Sequence, residues 1–476
     1  MKDKLTEALN HISDKHIAEA SGAKSRRRYQ IPATIAAILA LVLLIGVMIQ
    51  PLIPGNPADV TLSNKFLVAQ PQYPQMTPYP ADYTDDDGYL NWQADQLALH
   101  RQPEGYADSL NHYFAAITGQ LLSNTKGENA ACSPVNIYLA LAMLAETTDG
   151  NSRQQILDLL GADSIDKIRT QAEQVWKAHY NNDGLTTSIL ANSLWLEEGY
   201  PYNKETVQLL AEKYYASVFQ GDLGTEEIDK ALRNWINEQT GGLLREQTQN
   251  LTLDPQTVLA LVSTLHYQVQ WLNEFQEKEN TESTFYGTAG DTTKTFMRQT
   301  LIYNPYYWSD HFGAVSLNLE DNGRMWLILP DEGVTPEELL STGEAMDFLQ
   351  QNANEYENQK SLMIHLSVPK FDISSDLDIS RQLKDLGITD IFVPGTADFS
   401  PIIPENDGGY VSQVKHAARV AIDEEGVTAA AFTMIARCGA GMPPKDEMDF
   451  TLDRPFLFVI ESQDGLPLFA GIVNQP

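Results

Sequence analysis

The polar and apolar positions divide the chain into stretches of different rhythm. Ile31 to Ile49 is a run of 19 residues without a charge, IPATIAAILALVLLIGVMI. At about 1.5 Å per helical residue it spans roughly 28 Å, one hydrocarbon core, and so reads as a transmembrane helix. Upstream, Leu5, Leu9, Ile12, Ile17 and Ala20 recur at helical spacing, which predicts a short amphipathic helix, either partner-binding or simply solvated. Residues 50–104 hold eight prolines, the run Asp85-Asp86-Asp87 and little apolar periodicity. That pattern predicts an extended stalk, with a reach on the order of 40 Å if flexible. From Gly105 the rhythm changes, and Leu110, Tyr113, Phe114, Ile117 and Leu121 mark an amphipathic helix. Apolar or alternating runs at Arg324–Pro330, Met363–Phe371 and Phe450–Glu461 predict strands. Residues 105–476 are therefore expected to form one α+β unit, large mixed or antiparallel sheets with helices packed around them.

Charge sharpens this division. Thirty-two basic residues face 64 acidic ones, a net charge of −32, which excludes a nucleic-acid binder because nothing would neutralise phosphates. The basic residues are unevenly placed: Lys24, Arg26, Arg27 and Arg28 precede the apolar run, and the next cation is Lys65. The positive-inside rule then puts residues 1–30 in the cytoplasm, 31–49 across the membrane and the remainder outside, a single-pass cell-membrane protein. A cleaved signal peptide fits less well, since 30 residues precede the apolar run and no small-residue cleavage site follows it. Cys132 and Cys438 are the two cysteines and read as free thiols, with no metal-ligand spacing and no disulfide framework.

Motifs of enzyme chemistry are missing. There is no GxSxG elbow, P-loop, HExxH, or GxGxxG after a strand, and the nine histidines are scattered. No cofactor and no metal is expected. Residues 421–444 (AIDEEGVTAAAFTMIARCGAGMPP) ask for another explanation. With a period of two, Val427, Ala429, Ala431, Thr433 and Ile435 share one face, all small or apolar. The segment suits a loop and also a buried strand, which is the property of a switch.

Here the sequence resembles the serpin family. Asp423-Glu424-Glu425-Gly426 followed by Val427-Thr428-Ala429-Ala430-Ala431 is similar to its reactive-loop hinge, and Asp453-Arg454-Pro455-Phe456 with Leu468–Asn474 is similar to its closing motif. Asn129–Gly150, Asn234-Trp235-Ile236, Trp271 with Phe275, and Val368-Pro369-Lys370-Phe371 match in family order. The resemblance implies a serpin fold with an exposed reactive loop. It implies a monomeric suicide-substrate inhibitor rather than an enzyme, whose cut loop inserts as a new strand and disables an extracellular serine protease. It places a polar cluster under the central strands at Ser133, Asn136, Ser263 and His416, with the Asn and Ser types exchanged between Asn136 and Ser263. Counting from Glu424 puts the bait bond at Ala440–Gly441, with Cys438–Gly439 as runner-up. A small bait residue suits an elastase-like protease with a shallow pocket. A serpin fold acting as a non-inhibitory binding module is the alternative, and residues 426–434 lack the charged or proline hinge residues expected of it.

Overall fold

A computed structural model of the chain describes residues 65–80, 85–351, 356–405, 409–411, 413–427 and 446–476. Two sheets dominate. The first, eight-stranded among the described residues, runs β1 (Leu67–Ala69), β5 (Ala216–Gly221), β4 (Thr187–Glu197), β6 (Leu259–Gln270), β14 (Gly426–Val427), β13 (Lys415–Ile422), β12 (Phe371–Asp378). The short β3 (Asn181–Asn182) pairs with β4. The second runs β15 (Glu447–Thr451), β11 (Gln359–Pro369), β8 (Gly290–Trp308), β9 (Phe312–Asn318), β10 (Arg324–Pro330), β16 (Phe456–Glu461), β17 (Pro467–Val473), β2 (Ala130–Cys132). The strand β7 (Thr281–Gly287) joins it by pairing with β8. The expected α+β class is observed. The apolar run at 450–461 splits into β15 and β16 because Asp453-Arg454-Pro455 turns the chain, with the Arg454 guanidinium donating to the Pro330 carbonyl at 2.8 Å.

Helices cover these sheets: α1 (Asp86–His100), α2 (Asn111–Leu122), α3 (Pro134–Thr147), α4 (Gly150–Leu159), α5 (Ile165–His179), α6 (Lys204–Lys213) and α7 (Glu226–Gln239). The anticipated stripe of α2 is buried. The central helix is α3. It starts at Ser133, whose side-chain oxygen accepts the Asn136 N–H, and Pro134 fills the first turn, where an N–H has no partner to lose. Thirteen of its 14 residues are buried, so it is apolar on every side and packs between β6 and β17, one strand from each sheet. Its one buried charge, Glu146, is met by Arg169 at 2.8 Å and the Tyr214 hydroxyl at 2.9 Å.

Two expectations are corrected. The first is the cell-membrane location. The longest described helices have 15 residues, whereas a span needs about 20, and no described helix is long and apolar enough to cross a membrane. Residues 1–30 and 31–49, on which the topology rested, lie outside the described residues.

The second correction concerns the stalk assigned to 50–104. From Lys65 on, its described part is bound to the body. Leu67 and Ala69 extend the first sheet by pairing with Phe219 and Val218 of β5. Tyr73 stacks on Trp176 at 5.5 Å and on Tyr180 at 5.3 Å. The Tyr79 N–H donates to the Asp183 carbonyl at 2.7 Å, and its ring meets Trp92 of α1 edge-on at 5.0 Å. Prolines keep the segment extended, and aromatic side chains fasten it.

Asp183 is the fastening point. One carboxylate oxygen accepts the N–H groups of Leu185 and Thr186, at 3.0 and 2.9 Å, in the turn entering β4. The other accepts Trp92 Nε1 at 2.9 Å and Gln96 Nε2 at 3.0 Å. Replacing Asp183 by Ala leaves these donors without their acceptor, at a cost of about 1–3 kcal/mol. Hydrogen exchange across residues 86–100 should then accelerate by about tenfold or more, because α1 is too short to persist undocked. Trp92→Ala should reproduce the effect and Leu97→Ala should not.

Candidate functional site

The first sheet is parted in its middle. β6 and β13 both pair with β14, and no ladder joins β6 directly to β13 among the described residues. Gly426 lies opposite Gln270, and Val427 opposite Val269 on one side and Ile422 on the other. The hinge therefore already occupies the upper end of a strand-wide slot. Gly426 is required there by proximity: a Cβ on it would sit 2.1 Å from the Val269 carbonyl oxygen and 2.8 Å from Gln270 Cα.

A latch holds the residues leading into the slot. Trp271 donates its indole N–H to the Asp423 carbonyl at 2.8 Å and its backbone N–H to the Glu425 carbonyl at 3.0 Å. The Phe275 N–H donates to the Glu424 carbonyl at 2.9 Å. The Asp423 carboxylate caps the turn, accepting the N–H groups of Glu425 and Gly426 at 3.0 and 3.2 Å. Glu424 pairs with Lys370 and accepts from Asn280. Burial works against its charge, but hydrogen bonds from Lys370 and Asn280 outweigh it and hold the carboxyl below its ordinary range.

Halfway down the slot lie the four polar residues singled out in the sequence, and they form two sets. On the β6 side, Asn136 Nδ2 donates to the Ser263 carbonyl at 3.0 Å. The Ser263 hydroxyl lies in hydrogen-bond contact with Asn136 Oδ1 and 2.7 Å from Asn192 Oδ1, and its single proton serves one of the two at a time. On the β13 side, His416 Nε2 accepts the Ser133 N–H at 3.0 Å, which places the imidazole proton on Nδ1. Burial pushes the His416 pKa down to about 4.

Of the sequence-derived residues, Glu424, Gly426 and Val427 form the latch and slot entrance, and Ser133, Asn136, Ser263 and His416 converge beneath it. Thr428, Ala429, Ala430 and Ala431 of the hinge, and Ala440 and Gly441 of the bait bond, lie outside the described residues. Two members, Asn192 and Asn280, escaped the sequence reading, and Lys370 entered it only as part of a motif. Asn192 is a fully buried amide in β4, held by donation to the Tyr214 carbonyl at 2.8 Å. The polar pair Asn192-Ser193 between Ile189-Leu190-Ala191 and Leu194-Trp195-Leu196 was the available signal. Asn280, and the pairing of Lys370 with Glu424, are recognisable only once folding brings them together. Among the described residues no group of His, Cys, Asp or Glu side chains could hold a metal ion. Cys132 is buried, and burial pushes its thiol up to about 12, so it is not a nucleophile at neutral pH.

Two outcomes are expected. Gly426→Ala should lever the hinge out of the slot, seen as about tenfold or faster hydrogen exchange at Val269 and Val427 with β4 unaffected. For His416, the folded pKa lies below the ordinary 6.5. Its contribution to stability is therefore complete above pH 6.5 and is lost as pH falls towards 4, by about 3 kcal/mol in total. Guanidinium unfolding of the wild type should show that loss, and His416→Gln should remove it from the pH dependence.

Comparison with known proteins agrees with this architecture. The family model "Serpin (serine protease inhibitor)" matches residues 109–476. Mouse Serpin B11 is 29% identical over 375 residues, covering 75% of this chain and 96% of that protein. Wheat Serpin-Z1C is 28% identical over 379 residues, covering 76% and 94%. The native structure of the thermophilic serpin tengpin superposes with a TM-score of 0.70 at 26% identity, covering 79% of this chain and 95% of that one. A match running from the first buried helix to the last residue, around a sheet parted by its own hinge, makes this chain a member of the serpin family of serine protease inhibitors.

Proposed function

We propose that this chain inhibits serine proteases by completing the insertion that Gly426 and Val427 begin. The observation that carries the reading is the register of β14. One step along the loop is one step back along each neighbour, so both ladders can be continued downwards. Ala429 then meets Tyr267 and Val420, and Ala431 meets Leu265 and Ala418. Thr433 falls opposite Ser263 and His416 at once, which would put a hydroxyl between the two halves of the polar cluster. The slot is apolar where the loop offers alanine and polar where it offers threonine.

Insertion in this register supplies the free energy for inhibition. A strand entering the slot gives the facing edges of β6 and β13 a full ladder and buries the Val427 face. A protease that has cut the loop and remains acylated to it would be carried along, its active site deformed before water completes hydrolysis. Ala440–Gly441 is the proposed bait bond, and its small side chain favours an elastase-like enzyme. Residues 105–476 would be the inhibitory domain, with the bound segment from Lys65 added to it.

The test is to mix the chain with a neutrophil-type elastase and look for an SDS-stable covalent complex, with mass spectrometry locating the cut after Ala440. Ala429→Arg, placing a charge against Tyr267 and Val420, should turn the inhibitor into a substrate that is cleaved without complex. Thr433→Val should leave the uncut protein as stable as wild type and slow trapping. Cleavage of the wild type with no complex would instead identify a non-inhibitory binding module.

A further inference from the structure

A cavity of about 2400 Å³ separates α1 from the polar face of β8, β11 and β15. The family match begins at residue 109, so α1, one wall of this cavity, lies outside the matched residues. Trp92 and Gln96 tie one arc of α1 to Asp183. Roughly 130° further around the helix are Leu90 and Leu97, seven residues apart and thus two turns apart on one face. They remain 59% and 65% exposed while lining the cavity, and Tyr89 and Leu272 line it at 44% each. Four of the large apolar side chains that the body leaves in water are thus gathered in one groove, which is the mark of an interaction surface.

The charge lining it is one-sided. Seven carboxylates face the groove against one guanidinium, that of Arg298, with His100 and His365 beside them. Burial, together with Glu425 beside Glu274 and with Glu274 and Asp321 beside Glu320, holds both glutamates above their ordinary range. The negative charge is therefore not neutralised from within. The volume also exceeds the roughly 300–1,000 Å³ of small-molecule pockets and suits a length of polypeptide.

We propose that the groove between α1 and the β8–β11–β15 face docks a segment of a partner protein in which lysine or arginine side chains flank leucine-sized ones. The aliphatic side chains cover Leu90, Leu97 and Leu272, and the cations answer Glu274, Glu320 and Asp449. Trp271 and Phe275, which hold the hinge, belong to the floor, so the occupant lies against the latch. This site does not depend on whether the loop inhibits a protease.

The probe is a fluorescein-labelled peptide of repeating Lys-Leu, titrated into the full-length chain, with a Glu-Leu peptide as its counterpart. Saturable one-to-one binding that weakens with salt is expected for the first, and none for the second. Leu90→Lys with Leu97→Lys, and separately Glu274→Gln with Glu320→Gln, should each weaken it by about tenfold or more. Glu205→Gln with Glu212→Gln, equal in charge but remote on α6, should leave it unchanged. If the remote pair weakens binding equally, the peptide senses only the net charge of the protein and the groove is not a site. Sedimentation of the peptide-free chain supplies the other arm: a monomer is expected, and a dimer abolished by Leu97→Lys would make a second copy the occupant and overturn the proposal.

Discussion

The structure turns on one separation, the gap that Gly426 and Val427 keep between β6 and β13. Adjacent strands gain by pairing, since each backbone N–H and carbonyl left without a partner is a cost. Here, among the described residues, no ladder joins β6 to β13 and only the two-residue bridge pairs with both. The bridge fits only because Gly426 has no side chain to strike the Val269 carbonyl. Everything around it serves the same end. Trp271, Phe275, Asp423 and the Lys370–Glu424 pair fix where the chain enters, and α3 supports both sheets from beneath.

The polar residues below the bridge follow from that separation. An apolar floor would favour closing the gap with whatever strand came first. Asn136, Ser263 and Asn192 instead satisfy one another on the β6 side, while His416 and the Ser133 N–H do so on the β13 side. The two sets meet at the start of α3, where the Ser133 hydroxyl accepts the Asn136 N–H. Asn136 provides the amide that reaches the β6 carbonyl, and Ser263 a hydroxyl whose one proton is shared between Asn136 and Asn192.

How much of this could be read from the sequence depended on whether the signal was local. The helix of Tyr113, Phe114, Ile117 and Leu121 and the strand at 324–330 came from periodicity alone. Glu424, Gly426 and Val427 were recognisable from contiguous composition, as a segment able to be loop or strand. Asn192 was not, because its importance comes from the register that sets it beside Ser263, 71 residues away. The stretch from Lys65 to His100 was misjudged because counts of proline and aspartate describe extension and say nothing of anchoring. Tyr73, Tyr79 and Trp92 carry the anchoring, and their stacking partners lie about a hundred residues downstream or in the same short segment. The groove beside α1 was beyond any linear reading, since its walls come from opposite ends of the chain.

The short pairing of β14 also sets a parity rule for the chain that follows. Side chains of a strand alternate strictly between faces, so the frame is fixed at Val427 and counted outwards from there. In the proposed insertion, one residue added or deleted between Val427 and Thr433 would exchange the small face for the one bearing Phe432 and Met434, and every later contact would be wrong together. Two residues would restore the faces but move threonine off the polar cluster. Beyond Ile435 no such counting applies, and length and sequence are free to drift. Under the proposed insertion, one portion of the segment tolerates only substitution and the other tolerates insertion, so target choice could diversify while the register of entry set at Val427 stays fixed.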